Sequence, residues 1–133
     1  MKAVKIIIVV AVIYALIVVL FESTLGFTQP SLEGTMVVTT TGDNGAPHDR
    51  VVQRLESGGQ LYIAANHWPR AWYRQALKNP EVQITFDGET QNYQAVPVID
   101  AEHDRVDADT DLGLVFKILT GFPPRYFVRL DPR

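Results

Sequence analysis

His67, Trp68, Arg70, Trp72 and Tyr73 lie close together in the chain, with Asn66 just ahead of them. Two indoles and a phenol can stack on a planar ring system. The segment straddles a strand-to-helix joint with Asn66 as a plausible cap, and the free N–H groups at a helix start suit an anion. Arg50 and Arg54 sit at even spacing on an expected strand and can project to one side as anion partners. Together this set suits a phosphorylated aromatic cofactor. Each member also has an ordinary reading. Trp72 and Tyr73 can be the inner face of a short helix, His67 a local cap, and Arg50 and Arg54 solvated strand residues.

Other chemistries find little support. His48, His67 and His103 are isolated, without the paired spacing of a zinc site. Asp104, Asp107, Asp109 and Asp111 lack the central Gly and closing Glu of a calcium loop, and read as a solvated helix face. No GxSxG is present, and Ser23, Ser31 and Ser57 fall in anchor-side or turn sequence. The sequence contains no Cys, which excludes disulfides, thiolate metal sites and Cys nucleophiles. With 12 Lys+Arg against 15 Asp+Glu in 133 residues, the net charge is −3, so the global basic footprint of a nucleic-acid binder is missing.

The first element is a segment suited to lipid. Ile6 to Phe21 carries no charge. Ala3, Val4, Leu25 and Phe27 extend it, and Lys5 can snorkel outward. A helix crossing roughly 30 Å of hydrocarbon needs about 20 apolar residues, so residues 1–27 are expected to form a retained single-pass anchor. A cleaved signal peptide is the chief rival, although Glu22 to Phe27 offers no clear small-x-small cleavage site. A buried core helix is the lesser rival, because a run apolar on every face is too greasy for so small a domain. Lys2 and Lys5 precede the span and no Lys or Arg follows until Arg50. The positive-inside rule then puts the amino terminus in the cytoplasm and the rest outside, in a bacterium on the periplasmic side of the inner membrane.

Residues 28–133 read as one small domain. Gly34 to Thr41 is a β-branched run that ends at a turn cluster, Gly42 to Pro47. His48 to Leu55 reads as the return strand, Ser57-Gly58-Gly59 as the next turn, and Gln60 to Ala65 as a third strand with Leu61, Ile63 and Ala65 on one face. A short helix with Pro69 in its first turn ends at Asn79-Pro80. Val82, Ile84 and Phe86 point inward on the next strand. Asp87-Gly88 is a tight turn, and Thr90 to Ile99 is the partner strand, whose Pro97 suggests an edge or a bulge. Ala101 to Leu119 reads as one helix with Leu112, Val115, Phe116 and Leu119 as its buried stripe. Arg125 to Leu130 is a last strand. The expected class is α+β: one transmembrane helix, then a small antiparallel barrel with two helices packed outside, because closure removes exposed edges.

The stretch Leu61 to Val82, with its Trp72-Tyr73 helix, Leu77 and Asn79-Pro80-Glu81-Val82, resembles the deazaflavin-dependent nitroreductase/quinone reductase family. Thr39-Thr40-Thr41-Gly42 followed by Gly45-x-Pro47 is similar to that family's first hairpin. The resemblance covers roughly Gly34 to Val98. It implies the split β-barrel shared with flavin-binding pyridoxamine phosphate oxidase-like proteins, a bound deazaflavin or in relatives FMN, and hydride transfer to quinones or nitro compounds. The family's phosphate usually meets a Gly-Arg-x-Ser-Gly type turn. Here the turn is Gly42-Asp43-Asn44-Gly45, shorter and acidic where the family is basic. An Asp beside a phosphate costs about 1 kcal/mol or more even in water.

Two readings follow. In the first, the chain is a membrane-anchored flavin- or deazaflavin-dependent oxidoreductase acting on a quinone-like or nitro acceptor. Arg50 and Arg54 hold the phosphate, and Asn66, His67, Trp68, Arg70 and Trp72 surround the cofactor. Tyr73 or Tyr126 orients the acceptor or supplies a proton. In the second, the barrel carries no cofactor and is a binding or structural module, such as an accessory subunit of a membrane complex. A homodimer fits either reading, and an anchored binder of some other small ligand is a third.

Overall fold

The structure is a computed structural model that describes residues 1–28, 34–65 and 71–133. It divides into two compact units: Met1–Thr28 with Leu112–Pro123, and Gln29–Asp111 with Pro124–Arg133.

The first unit contains helix α1 (Lys2–Thr28) and helix α4 (Leu114–Thr120). Lys2–Leu25 is long and apolar enough to cross a membrane, a test that a signal sequence also passes. At 1.5 Å per residue this stretch is about 36 Å long, enough for the hydrocarbon layer.

The second unit is an α+β barrel. Strands β1 (Thr35–Thr41), β2 (Pro47–Gln53), β3 (Leu55–Ser57), β4 (Gln60–Ala65), β5 (Glu81–Phe86), β6 (Glu89–Pro97) and β7 (Tyr126–Pro132) join helices α2 (Ala71–Lys78) and α3 (Asp100–Asp109). The sheet is antiparallel throughout, in the order β2-β1-β5-β6-β7-β4-β3. β2 and β3 occupy opposite ends of that order, yet Arg54 alone separates them in sequence. The sheet must therefore curl until its two edges meet, and the expected return strand is broken at this corner. Asp87 (φ 50°) and Gly88 (φ 80°) form the two-residue β5–β6 turn with both residues left-handed, the conformation that matches strand twist.

β1 alternates cleanly, with Met36, Val38 and Thr40 inside. Val82 and Ile84 are buried as expected, and Phe86 packs against them. β4 departs from simple alternation: neighbours Tyr62 and Ile63 are both 0% exposed. Ile63 joins the barrel interior, whereas Tyr62 joins Val98, Val106 and Phe127 in a second cluster that includes α3. A strand covered on both faces cannot show the half-polar period. β6 pairs with both β5 and β7, so it is a central strand, and Pro97 ends it rather than marking an edge or a bulge. The single helix expected over Ala101–Leu119 is two helices, interrupted around Gly113. Of its expected buried stripe, Val115 is 72% exposed.

The second cluster is bordered by a polar chain. Arg129 donates to both carboxylate oxygens of Glu102 (3.0 and 2.9 Å) and to Asp131 (2.8 Å). The Tyr62 hydroxyl donates to Glu102 (3.2 Å) and accepts from Arg105 (2.9 Å), and Ser57 donates to Asp109 (2.6 Å). Burial, followed by the nearby Glu102 carboxylate, pushes the Tyr62 phenol above its ordinary pKa, with Arg105 opposing. A phenol whose pKa is raised by folding adds stability that is complete below the unfolded value, about 10, and is lost as pH climbs through the folded one. The stability gap between wild type and Tyr62→Phe is therefore expected to narrow above about pH 10. Urea titrations of both proteins across that range check this; a constant gap would contradict it.

Candidate functional site

The helix that carries the aromatic residues is tied to the first hairpin. α2 turns Trp72 (6% exposed) and Ala76 (0%) into the barrel core. Gln75 accepts a hydrogen bond from Thr40 (2.6 Å), Lys78 pairs with Asp43 (2.6 Å), and the Asn79 side chain donates to the Thr41 carbonyl (3.0 Å). These contacts fix which way Tyr73 faces. Its ring lies edge-on to Trp72 (centroids 6.0 Å, 88°) and tilted against Tyr126 (5.8 Å, 44°). The two candidate catalytic tyrosines are thus brought together from residues distant in sequence. The β4–β7 ladder makes this possible, because Ala65 at the end of β4 pairs with Tyr126 at the start of β7. Asn66, His67, Trp68 and Arg70 lie outside the described residues.

The two arginines fall on β2 and its end. Arg50 pairs in register with Val38, and Val52 with Met36. Val38 and Met36 are core residues, and directly opposed residues share a face. Arg50 therefore lies on the barrel-interior face, half-buried, and burial lowers its guanidinium pKa. It stays protonated at any working pH, and a cation drawn partly out of water holds an anion more strongly than a solvated one. Arg54 stands at the corner, 2.6 Å from Glu56 Oε1, with its guanidinium 4.7 Å above the Phe86 ring. Both partners in the ion pair are substantially exposed. Such pairs are worth about 0–1 kcal/mol, so Glu56 holds the Arg54 guanidinium only weakly. Arg54 also borders an open cleft of about 210 Å³ with Met36, Leu61, Ile84, Phe86, Glu89, Gln91 and Tyr93. The cleft was not legible from sequence. Phe86 and Tyr93 carried the signal, as aromatic residues near a hairpin turn.

The Gly42-Asp43-Asn44-Gly45 turn is closed largely by its own hydrogen bonds. The Gly42 N–H donates to the Ala46 carbonyl (2.9 Å), Gly45 N–H to the Gly42 carbonyl (3.0 Å), and Ala46 N–H to Asn44 Oδ1 (3.0 Å). The Gly42, Gly45 and Ala46 amides are thus committed internally, and the turn's one charge is the Asp43 carboxylate, paired with Lys78. A Cβ built on Gly42 would meet His48 Nε2 at 2.7 Å, so the glycine admits the imidazole. The donor set therefore fits an anionic aromatic cofactor through Arg50, Arg54 and the aromatic rim, and not through this turn. Among the described residues no group of His, Asp and Glu is arranged for a metal ion.

Residues 15–111 match the family described as F420H2-dependent quinone reductase. Among solved structures, the chain resembles an F420-H2 dependent reductase (15% identity, TM-score 0.54, covering 74% of this chain and 95% of that one). It also resembles a putative pyridoxamine 5'-phosphate oxidase from Listeria innocua (17%, TM-score 0.51, 91% and 94%). A third neighbour, described as a domain-swapped dimer, aligns at 16% identity with TM-score 0.59, over 80% of this chain and 88% of that one. At these identities the structural neighbours establish the split-barrel fold alone. No curated protein matches the sequence.

Proposed function

The chain belongs to the F420H2-dependent quinone reductase family of oxidoreductases, and from that premise we propose that it is a membrane-anchored deazaflavin-dependent reductase of a quinone-like, lipid-soluble acceptor. The family match over residues 15–111 carries this reading, and it favours the deazaflavin over FMN. The coenzyme, when bound, supplies a hydride. Arg50 and Arg54 hold its phosphate, and the aromatic residues around α2 border its ring. Tyr73 or Tyr126 gives a proton to the acceptor oxygen as the acceptor takes up hydride, which completes a quinol, and water reprotonates the phenolate. The apolar α1 would tether the chain to the lipid in which a quinone dissolves. Lys2 and Lys5 ahead of the span put the amino terminus in the cytoplasm and the barrel across a bacterial inner membrane, and the domain-swapped neighbour supports a homodimer.

The test is oxidation of reduced deazaflavin by full-length protein in vesicles, with a quinone analogue as acceptor. A quinone-dependent rate above that of vesicles without protein is expected; none would refute the proposal. With the phosphate on Arg50 and Arg54 and the Asp43 carboxylate paired with Lys78, Asp43→Asn is expected to change coenzyme affinity by less than about twofold. Fluorescence titration measures it, and a gain of about fivefold or more would place the phosphate at this turn.

The committed turn amides favour a second reading, a barrel that keeps the fold without the coenzyme and serves as a module of a membrane assembly. Co-purification of stoichiometric partners with a protein that binds no deazaflavin would establish it.

A further inference from the structure

We propose that Leu112–Pro123, which joins α3 to β7, is a membrane dip: a short segment seated among the acyl chains beside α1. The proposal rests on the reading of α1 as a membrane span.

Within their common unit, α4 packs along the middle and outer part of α1. Tyr14 donates its hydroxyl to the Ile118 carbonyl (2.8 Å), and Phe21 and Phe116 meet edge to face (5.8 Å, 78°). A Cβ on Gly121 would lie 3.2 Å from Val18. Gly121 also has φ 77° as the helix cap, so both the backbone turn and the close approach require glycine. Tyr14 is eleven residues before Leu25, the last residue of the candidate span, which is about 16 Å along a helix. If Lys2–Leu25 crosses the bilayer, a partner bonded to Tyr14 reaches about half the depth of the hydrocarbon. The packing and the span together put α4 inside the membrane.

The surface of α4 agrees. Val115 is 72% exposed, Leu114 66%, Phe122 57% and Ile118 42%. These side chains continue the exposed apolar surface of α1, where Leu16, Ile17 and Leu20 are also uncovered. Lys117 is the one charge between Leu112 and Pro124. A seven-residue helix with three exposed large apolar side chains, followed at once by exposed Phe122, is poorly suited to water. Glu22, the only charge between Lys5 and Leu25, is 4% exposed; it is kept off the lipid side, as a carboxyl at that depth must be. The segment lies beyond residues 15–111, so it is not part of the family match.

The absence of Cys makes the test direct. Single cysteines at Val115→Cys, Phe122→Cys, Ile8→Cys and Glu89→Cys receive an environment-sensitive fluorophore. The full chain is then reconstituted in phosphatidylcholine–phosphatidylglycerol vesicles, with or without brominated acyl chains. Bromolipid quenching at positions 8, 115 and 122 is expected to exceed that at 89 several-fold. Quenching at 8 but not at 115 and 122 overturns the dip and leaves the anchor standing. No quenching at 8 removes the anchor and the dip with it. A water-shielded but unquenched probe at 115 and 122 means protein covers this face and also overturns the proposal. Leu114→Cys and Ile118→Cys repeat the reading on the same segment, so one misfolded variant does not decide it.

Discussion

Replacing Tyr73 and Tyr126 together by phenylalanine is expected to lower quinone turnover by about 100-fold or more, the usual contribution of a positioned proton donor. The loss should fall on kcat and leave KM nearly unchanged, because the phenols are asked to act in the transition state and the rings remain to pack. The ring contacts of 6.0 Å with Trp72 and 5.8 Å between the tyrosines do not need the hydroxyls, so the fold should survive. Either single variant should lose less if the partner's hydroxyl can substitute across the pair. Steady-state kinetics of the two single variants and the double variant separates the cases. Unchanged kcat in the double variant would assign the proton to another group.

Arg125→Ala is expected to destabilise the barrel unit by about 1–3 kcal/mol. Arg125 is 8% exposed, and its guanidinium donates to Asp107 Oδ1 (2.7 Å), the Asp107 carbonyl (3.0 Å) and the Thr110 carbonyl (2.9 Å). It also lies 4.7 Å over the Phe127 ring. It thereby satisfies carbonyls at the end of α3, which have no intrahelical partners. The Asp107 side chain is 55% exposed, so the carboxylate left behind is solvated, and the loss comes mainly from the unsatisfied carbonyls, about 1–3 kcal/mol, a sizeable part of the roughly 5–15 kcal/mol that holds a domain folded. Arg125→Lys should recover only a fraction, because an ammonium lacks the planar fork that reaches three acceptors at once. Urea denaturation measures both; a loss under about 1 kcal/mol would mean the pair behaves as a solvated surface bridge.

The parts of the fold that declared themselves are those governed by neighbours in sequence. The β-branched run before Gly42, the Asp87-Gly88 pair and the uninterrupted apolar run from Ile6 to Phe21 are local patterns, and they became a strand, a turn and a helix. What stayed hidden depends on distant partners. Tyr62 looked like the outward residue of a half-buried strand until α3, some forty residues later, covered it and supplied Glu102 and Arg105. Asp104, Asp107 and Asp109 of α3 are exposed, as a solvated face should be, but that Asp107 and Asp109 also hold Arg125 and Ser57 could not be read locally. Val115 suited the core by period alone, but the break at Gly113 starts a new helix in the other unit. The candidate site divides in the same way. Trp72, Tyr73, Arg50 and Arg54 were visible as residue types at suggestive spacing. The meeting of Tyr73 with Tyr126 depends on the β4–β7 ladder, and Arg54 became a corner residue only when the sheet curled.

The most direct measurement of the central claim is native mass spectrometry of the full-length protein in mild detergent, titrated with oxidised deazaflavin coenzyme. The account predicts a saturable complex at one coenzyme per chain, weakened by charge reversal at Arg50 and Arg54. A chain that stays unliganded at every concentration, while folded by circular dichroism, would contradict it.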